Sequence, residues 1–280
     1  MKRLLLVVPV VLLGVPLAVY LLLVSGARRV DDDHQDVLAH DVRDKGQTLP
    51  DAATMEKLAE KDPVAFLRYC ILRYDRQVKG YTATLQKQER LKGKLYPTEI
   101  IEVSFREKPF SVFMHWLKNP RKAETVLYVK GENNDMMLVH PSGLAGSLVK
   151  VVDRAIDSVD ARASGRYTLD KFGIKNGTLR TLAGWEAAEK RGKLKIEYLG
   201  KHRIKEVGDR ICYKLHRVYD KPENDGVAEL TLYIDKATWL QVGSVVKDTD
   251  GKLIGEYYFR DLHLNPEFNK DQFDRSAVAP

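Results

Sequence analysis

The sequence predicts an α+β fold: one large curved antiparallel β-sheet with helices covering its concave face, preceded by an N-terminal transmembrane or signal helix. Three observations predict it. Ten strand-like segments fall into two blocks separated by a helical middle. Their connections are short and rich in Gly, Pro, Asn and Asp, which favours neighbouring antiparallel strands over crossover units. A single uncharged apolar run stands apart at the front of the chain.

That run, Leu4 to Val24, follows Lys2 and Arg3 and contains no charge. A helix of that length covers about 31 Å, close to the thickness of bilayer hydrocarbon. Its length favours a retained anchor. Ser25-Gly26-Ala27 offers the small residues of a cleavage site after Ala27, so a removed signal is the second reading. Lys2 and Arg3 favour a cytoplasmic N-terminus, although Arg28 and Arg29 lie beyond the run. Either way the remainder is expected in the cell envelope, on the periplasmic side of the inner membrane if anchored, or released to the periplasm if cut.

Residues 28–62 are polar and acidic, with Gly46 and Pro50, and read as a linker holding a short helix over Ala52–Glu60. The folded domain is expected over 63–275. Asp62-Pro63 gives a cap and a favoured first-turn proline. Val64, Leu67, Ile71, Tyr74 and Val78 then recur at three and four residues, so a helix presents one apolar stripe until Gly80.

The first strand block is Tyr81–Leu91, Thr98–Arg106, Phe110–Lys118, Glu124–Lys130 and Met136–His140. In the second of these, Ile101, Val103 and Phe105 share one face, which Glu99 interrupts, while Glu102, Ser104 and Arg106 face the other way. The spacing of Leu148, Val149, Val152, Ile156 and Val159 predicts a helix over Ala145–Asp160, and a second helix is expected over Gly173–Arg191. The second block is Lys193–Arg203, Arg210–Tyr219, Gly226–Asp235, Leu240–Asp248 and Lys252–Leu264. Asp248-Thr249-Asp250-Gly251 reads as a hairpin turn.

The formal net charge is +7, spread over a chain that is 30% charged, with no run of five basic residues. No nucleic-acid partner is expected. Cys70 and Cys212 are the only cysteines. A disulfide is allowed outside the cytoplasm, but two semi-buried thiols are the favoured reading.

Catalytic motifs are missing: the chain has no Gly-x-Ser-x-Gly, Walker loop, His-Glu-x-x-His or Cys-x-x-Cys. The seven histidines are scattered, and Glu102 and Glu256 are the carboxylates weighed as an inward-facing pair. Solvent-facing alternation explains both. The chain reads as a non-enzyme with no cofactor and no metal.

The candidate binding residues are the apolar rows Phe105, Phe110, Val112, Met114 and Trp116, with Leu230, Leu232 and Ile234. These also serve as plain core under the first helix. Burying apolar groups gains about 0.8 kcal/mol per CH₂, so an open hollow lined by such rows would favour a hydrophobic ligand.

The C-terminal pattern carries a resemblance. Tyr233-Ile234-Asp235-Lys236, Trp239-Leu240-Gln241-Val242, Asp250 to Phe259, Asp261-Leu262-His263-Leu264-Asn265 and Phe273 resemble the end of the LolA/LolB-like lipoprotein carriers and acceptors. From about Pro63 to Phe273, Arg106-Glu107-Lys108-Pro109-Phe110-Ser111-Val112, Trp116-Leu117 and Leu127-Tyr128-Val129 are similar to an uncharacterised bacterial domain family of unknown function. The resemblance implies a half-barrel whose helices cover an apolar cavity. The expected function is therefore to bind a lipid, lipoprotein acyl chain or other hydrophobic ligand. The alternative is a module with a filled core that meets another envelope protein.

Overall fold

The computed structural model describes residues 42, 44–223 and 226–279, so the expected span 4–24 and cleavage site at Ala27 lie outside the described residues. Among the described residues no helix is long and apolar enough to cross a membrane.

Two helices open the body. In α1 (Ala52–Lys61) the Asp51 carboxylate accepts from Thr54 N, and in α2 (Pro63–Gln77) Asp62 accepts from Ala65 N at 2.9 Å, with Pro63 in the first turn. The Asp62 backbone N–H also closes α1 by donating to Leu58 O. One residue thus ends one helix and begins the next. Met55 and Ala59 of α1 are buried in the same cluster as Phe66, Leu67, Cys70 and Ile71 of α2, so the folded body takes in α1. Asp62→Ala is expected to cost about 1 kcal/mol, the usual value of a lost N-cap, read as a shifted urea midpoint of the full chain with unchanged slope.

Six strands follow: β1 (Gly80–Leu91), β2 (Lys94–Leu95), β3 (Glu99–Arg106), β4 (Ser111–Lys118), β5 (Ala123–Val129) and β6 (Met136–Pro141). Then come α3 (Leu144–Leu148), β7 (Val152–Ala155), α4 (Val159–Arg162) and α5 (Ile174–Lys190). The chain closes with β8 (Glu197–Ile204), β9 (Arg210–Val218), β10 (Glu229–Asp235), β11 (Gln241–Lys247) and β12 (Leu253–Leu264).

All ten expected strands form, together with the short β2 and β7, in one open antiparallel sheet of order β7-β6-β5-β4-β3-β1-β12-β11-β10-β9-β8, with β2 hairpinned on β1. Two meanders therefore grow outward from a central pair, β1 with β12. The Asp248 turn is a hairpin as expected, with Gly251 N donating to Asp248 O.

The helix expected over Ala145–Asp160 is corrected. Only Leu144–Leu148 and Val159–Arg162 are helical, and β7 lies between them, pairing Val139 with Val152 and Leu138 with Asp153. Val151-Val152 is a β-branched pair beside an unfilled sheet edge, and ladder hydrogen bonds there outweigh a weak helical period. α5 forms as expected and buries Leu179, Leu182 and Trp185.

The sheet's two faces are covered differently. α1, α2 and α5 pack over Tyr213 and Leu215 of β9 and Leu230, Leu232 and Ile234 of β10. On the opposite face the C-terminal segment lays Phe268, Phe273 and Val278 against Leu127, Val129 and Leu138. Cys70 and Cys212 are both buried free thiols, so the allowed disulfide is not formed. They belong to different apolar clusters.

Candidate functional site

Alternation decides which side chains meet beneath the helices. In β1 the inward positions are Tyr81, Ala83, Leu85, Lys87 and Glu89, because period two carries one face along the whole strand. The register sets Tyr81 beside Phe105, Leu85 beside Ile101 and Lys87 beside Glu99, and then Phe105 beside Val112, Val103 beside Met114 and Ile101 beside Trp116.

The structure splits the expected binding residues into two groups. Phe105, Val112 and Met114 are buried in one cluster, with Phe110 and Trp116 half-buried against it. Leu230, Leu232 and Ile234 belong to a second cluster with α2 and α5. The strands β1, β12 and β11 lie between them.

In the first cluster Phe105 stacks on Tyr81 with centroids 4.8 Å apart, and meets Phe110 edge-on at 5.3 Å and Phe172 at 6.3 Å. The Tyr81 hydroxyl accepts from Ile174 N at 3.2 Å, which fixes the start of α5 over the ring pair. Gly173 permits this closeness. Its φ is +118°, and a Cβ there would sit 3.2 Å from the Phe105 ring.

The second cluster is filled by Phe66, Leu67, Cys70 and Ile71 from α2 and Leu179, Leu182 and Trp185 from α5. Within it Phe66 meets Tyr213 edge-on at 5.5 Å. Two hydrogen-bond donors in this apolar setting have no partner among the described residues: Trp185 Nε1 and the Tyr213 hydroxyl. Both residues are essentially inaccessible, at 1% and 0% exposure. Leaving a buried donor unmet costs about 1–3 kcal/mol, so such atoms call for an explanation. Burial pushes the Tyr213 hydroxyl pKa above its ordinary value, with Glu56 adding to it, so the group keeps its proton to donate.

Where β1 and β3 approach the β4–β5 turn, the same face turns polar. Lys87 Nζ lies 2.9 Å from Glu99 and 3.4 Å from Glu89, and Arg121 Nε lies 3.4 Å from Glu99. Trp116 donates its indole N–H to Glu99 at 3.0 Å, and the Tyr257 hydroxyl donates to Glu89 at 2.6 Å. Glu89 and Glu99 are only 4% and 3% exposed. Burial opposes the charged form of Lys87, but Glu89 and then Glu99 outweigh it and hold the ammonium above its ordinary pKa. Burial likewise opposes the Glu89 carboxylate, and Lys87, followed by Tyr257, keeps its pKa below the usual range.

The network also pins the covering segment. Arg166 N donates to Glu89, and Arg121 donates to Ser164 O. Trp116, expected to face a ligand, is thus tied to a carboxylate. Glu99 was visible as the break in an apolar row. Lys87 and Glu89 were missed, although parity counted from Tyr81 through Leu85 places both inward.

Glu102 and Glu256 are not brought together. They flank β1 at Thr84 and Gln88, four residues apart along the strand, and burial raises the Glu256 pKa. His202 and His216 also lie apart, opposite Cys212 and Glu197 in the β8–β9 ladder. Among the described residues no group of three or more His, Cys, Asp or Glu is arranged to hold a metal. A recess of about 220 Å³ lies elsewhere, on the outer side of α2, lined by Val42, Gln47, Ala65, Arg68, Tyr69 and Leu72.

A family model described as protein of unknown function (DUF1571) matches residues 78–278. No curated protein matches the chain significantly. Among solved structures, the MucA/MucB complex of Pseudomonas aeruginosa includes a chain with 16% identity and a TM-score of 0.44, covering 78% of this chain and 62% of that one. The present chain therefore spans under two thirds of that relative. Mycobacterium tuberculosis lipoprotein LppX has 11% identity and a TM-score of 0.39, over 75% of this chain and 99% of that one. A putative outer membrane lipoprotein-sorting protein domain from Vibrio parahaemolyticus has 11% identity and a TM-score of 0.31, over 81% and 99%. Likeness of this extent carries no argument about ligand or partner.

Proposed function

Because the chain belongs to the DUF1571 family, whose function its description leaves open, we propose a role from the geometry alone: a non-catalytic envelope protein that binds a hydrophobic ligand beneath α2 and α5. The carrying observation is the pair of unmet donors, Trp185 Nε1 and the Tyr213 hydroxyl, inside an otherwise apolar cluster. A lipid or lipoprotein acyl chain fits that chemistry. Its chain replaces apolar contacts, and its ester or carboxyl oxygen accepts from the donors. Entry requires α2 or α5 to lift, since protein side chains now occupy the cluster.

The proposal includes export, with residues 4–24 holding the protein at the inner membrane, or with release to the periplasm if Ala27 ends a signal. Within this reading Leu230, Leu232 and Ile234 form the sheet-side wall of the site. Phe105, Phe110, Val112, Met114 and Trp116 form a neighbouring wall.

The test feeds cells making the full chain a photoreactive alkyl-diazirine fatty acid, irradiates them and maps labelled peptides. Label is expected in α2, α5, β9 and β10. Tyr213→Phe should lower that labelling several-fold while leaving stability unchanged or raised, because the donor's desolvation penalty of about 1–3 kcal/mol disappears. No labelling above background, with a bare mass for protein isolated from membranes, sinks the reading.

One observation favours a second reading. Three aromatic rings and the α5 start already close around Phe105, as a solid interaction module would require. That module would take no lipid and would retain a single protein partner on mild purification.

A further inference from the structure

Six of the large apolar side chains that stay exposed lie on strand tips, short helices and a loop at one end of the β1–β7 half of the sheet. The register fixes this. Leu91 pairs Lys94 at the β1–β2 tip, Lys118 pairs Ile100 where β4 ends, and Ala123 pairs Pro141 where β6 ends. Ser142 N donates to Lys122 O at 3.0 Å, and Lys122 Nζ reaches Asp160 at 2.8 Å, bringing α3 and α4 to the same end.

Leu144 is 87% exposed and Leu148, four residues on and on the same side of α3, is 77% exposed. Leu117 and Val159 are each 53% exposed, and Leu95 and Tyr167 are also exposed. Lysines alternate with these residues. Lys92, Lys118 and Lys150 are exposed and have no acidic partner among the described residues, and Lys94 lies over the Tyr96 ring at 5.1 Å. Of the acids nearby, Asp160 pairs with Lys122, and Glu124 lies 3.8 Å from His140.

We infer that this end of the sheet docks onto an anionic lipid bilayer surface. Exposed leucines between unpaired lysines suit an interface whose depth is apolar and whose headgroups are negative. A protein groove gives no reason for lysines on the turns between β1 and β7, whereas a charged plane does. The β9–β10 and β11–β12 turns of the same end carry Asp220, Asp248 and Asp250 and lie outside the patch.

The chain's length permits the approach. Asp44 is held by Arg76 near the other end of the sheet. The stretch from 25 to 43 reaches about 60 Å when extended, against about 40 Å for the twelve residues of β1. A domain tethered by residues 4–24 can therefore turn this end toward its own membrane.

The test places an environment-sensitive nitrobenzoxadiazole probe on Leu148→Cys in the full chain, Cys70 and Cys212 being buried. The labelled chain is reconstituted into vesicles of phosphatidylcholine alone or mixed with phosphatidylglycerol. A blue shift and several-fold brighter emission are expected only with phosphatidylglycerol. High salt, or Lys118→Glu with Lys150→Glu, should abolish both changes, with thermal melting of the full chain unchanged by the substitutions. Equal emission in both vesicles overturns the inference. So does a shift indifferent to salt and charge reversal, or one produced only by added membrane-protein extract.

Discussion

Replacing Lys87 by methionine is expected to destabilise the protein by about 3–5 kcal/mol, the cost of removing one partner from a buried ion pair. Methionine keeps the length of the stem, so packing changes little and the loss reports on charge. Glu89 suffers most. It keeps the Tyr257 hydroxyl and Arg166 N as donors, but loses the ammonium 3.4 Å away. Glu99 still has Arg121 and the Trp116 indole.

The effect depends on pH in a definite direction. The raised pKa of Lys87 means its contribution is fully present below the unfolded lysine value and is lost as pH rises through the folded one. The lowered pKa of Glu89 means its contribution is present above the unfolded glutamate value and is lost as pH falls through the folded one. The native network is thus strongest between those limits. In Lys87→Met the uncompensated Glu89 is driven to take up a proton, so the gap from the native protein should narrow as pH falls from 7 toward 5. Urea unfolding of both full chains at the two pH values measures this. A gap no larger than that of an ordinary surface substitution, or one that widens on acidification, rules the network out as a source of stability.

Phe105→Ala is the second large expectation. The ring is 2% exposed and lies among Tyr81, Phe110 and Phe172. Deleting it should cost about 3–5 kcal/mol, from lost transfer energy and the cavity left behind. The damage should spread along the chain, because Tyr81 both stacks on Phe105 and accepts from Ile174 N. Hydrogen exchange should therefore speed up across 169–178 more than across β9 and β10. Uniform acceleration would mean that α5 is held by its other contacts rather than by this ring stack.

Much of this architecture was legible in the residues. Period-two alternation found ten strands, and the stripe from Val64 to Tyr74 found α2. Both signals survive because one face of each element is dry and the other wet. β2 was invisible because two residues carry no period. β7 was hidden for a different reason: Leu148, Val149, Val152 and Ile156 mimic a helical repeat, and only the vacant edge of β6 decides the matter. The apolar rows were found, but their division into two clusters was not, since strand order is a property of pairings distant in sequence. The buried charges were overlooked because Lys87 and Glu89 look like any polar strand end. Only the partners brought by β3, β12 and the Ser164 segment make them affordable inside.

The central pairing of β1 with β12 has a consequence for how the chain comes together. The strands that hold the middle of the sheet are separated by about 160 residues, whereas every other neighbour in the sheet follows closely in sequence. Each meander can assemble locally as it emerges, but the seam between them closes only when nearly the whole polypeptide is present. Such late, long-range closure slows folding, because loop entropy must be overcome before the contacts that repay it exist. If the chain is exported as proposed above, this delay would keep the β1 edge unpaired on the β12 side until translocation is nearly complete.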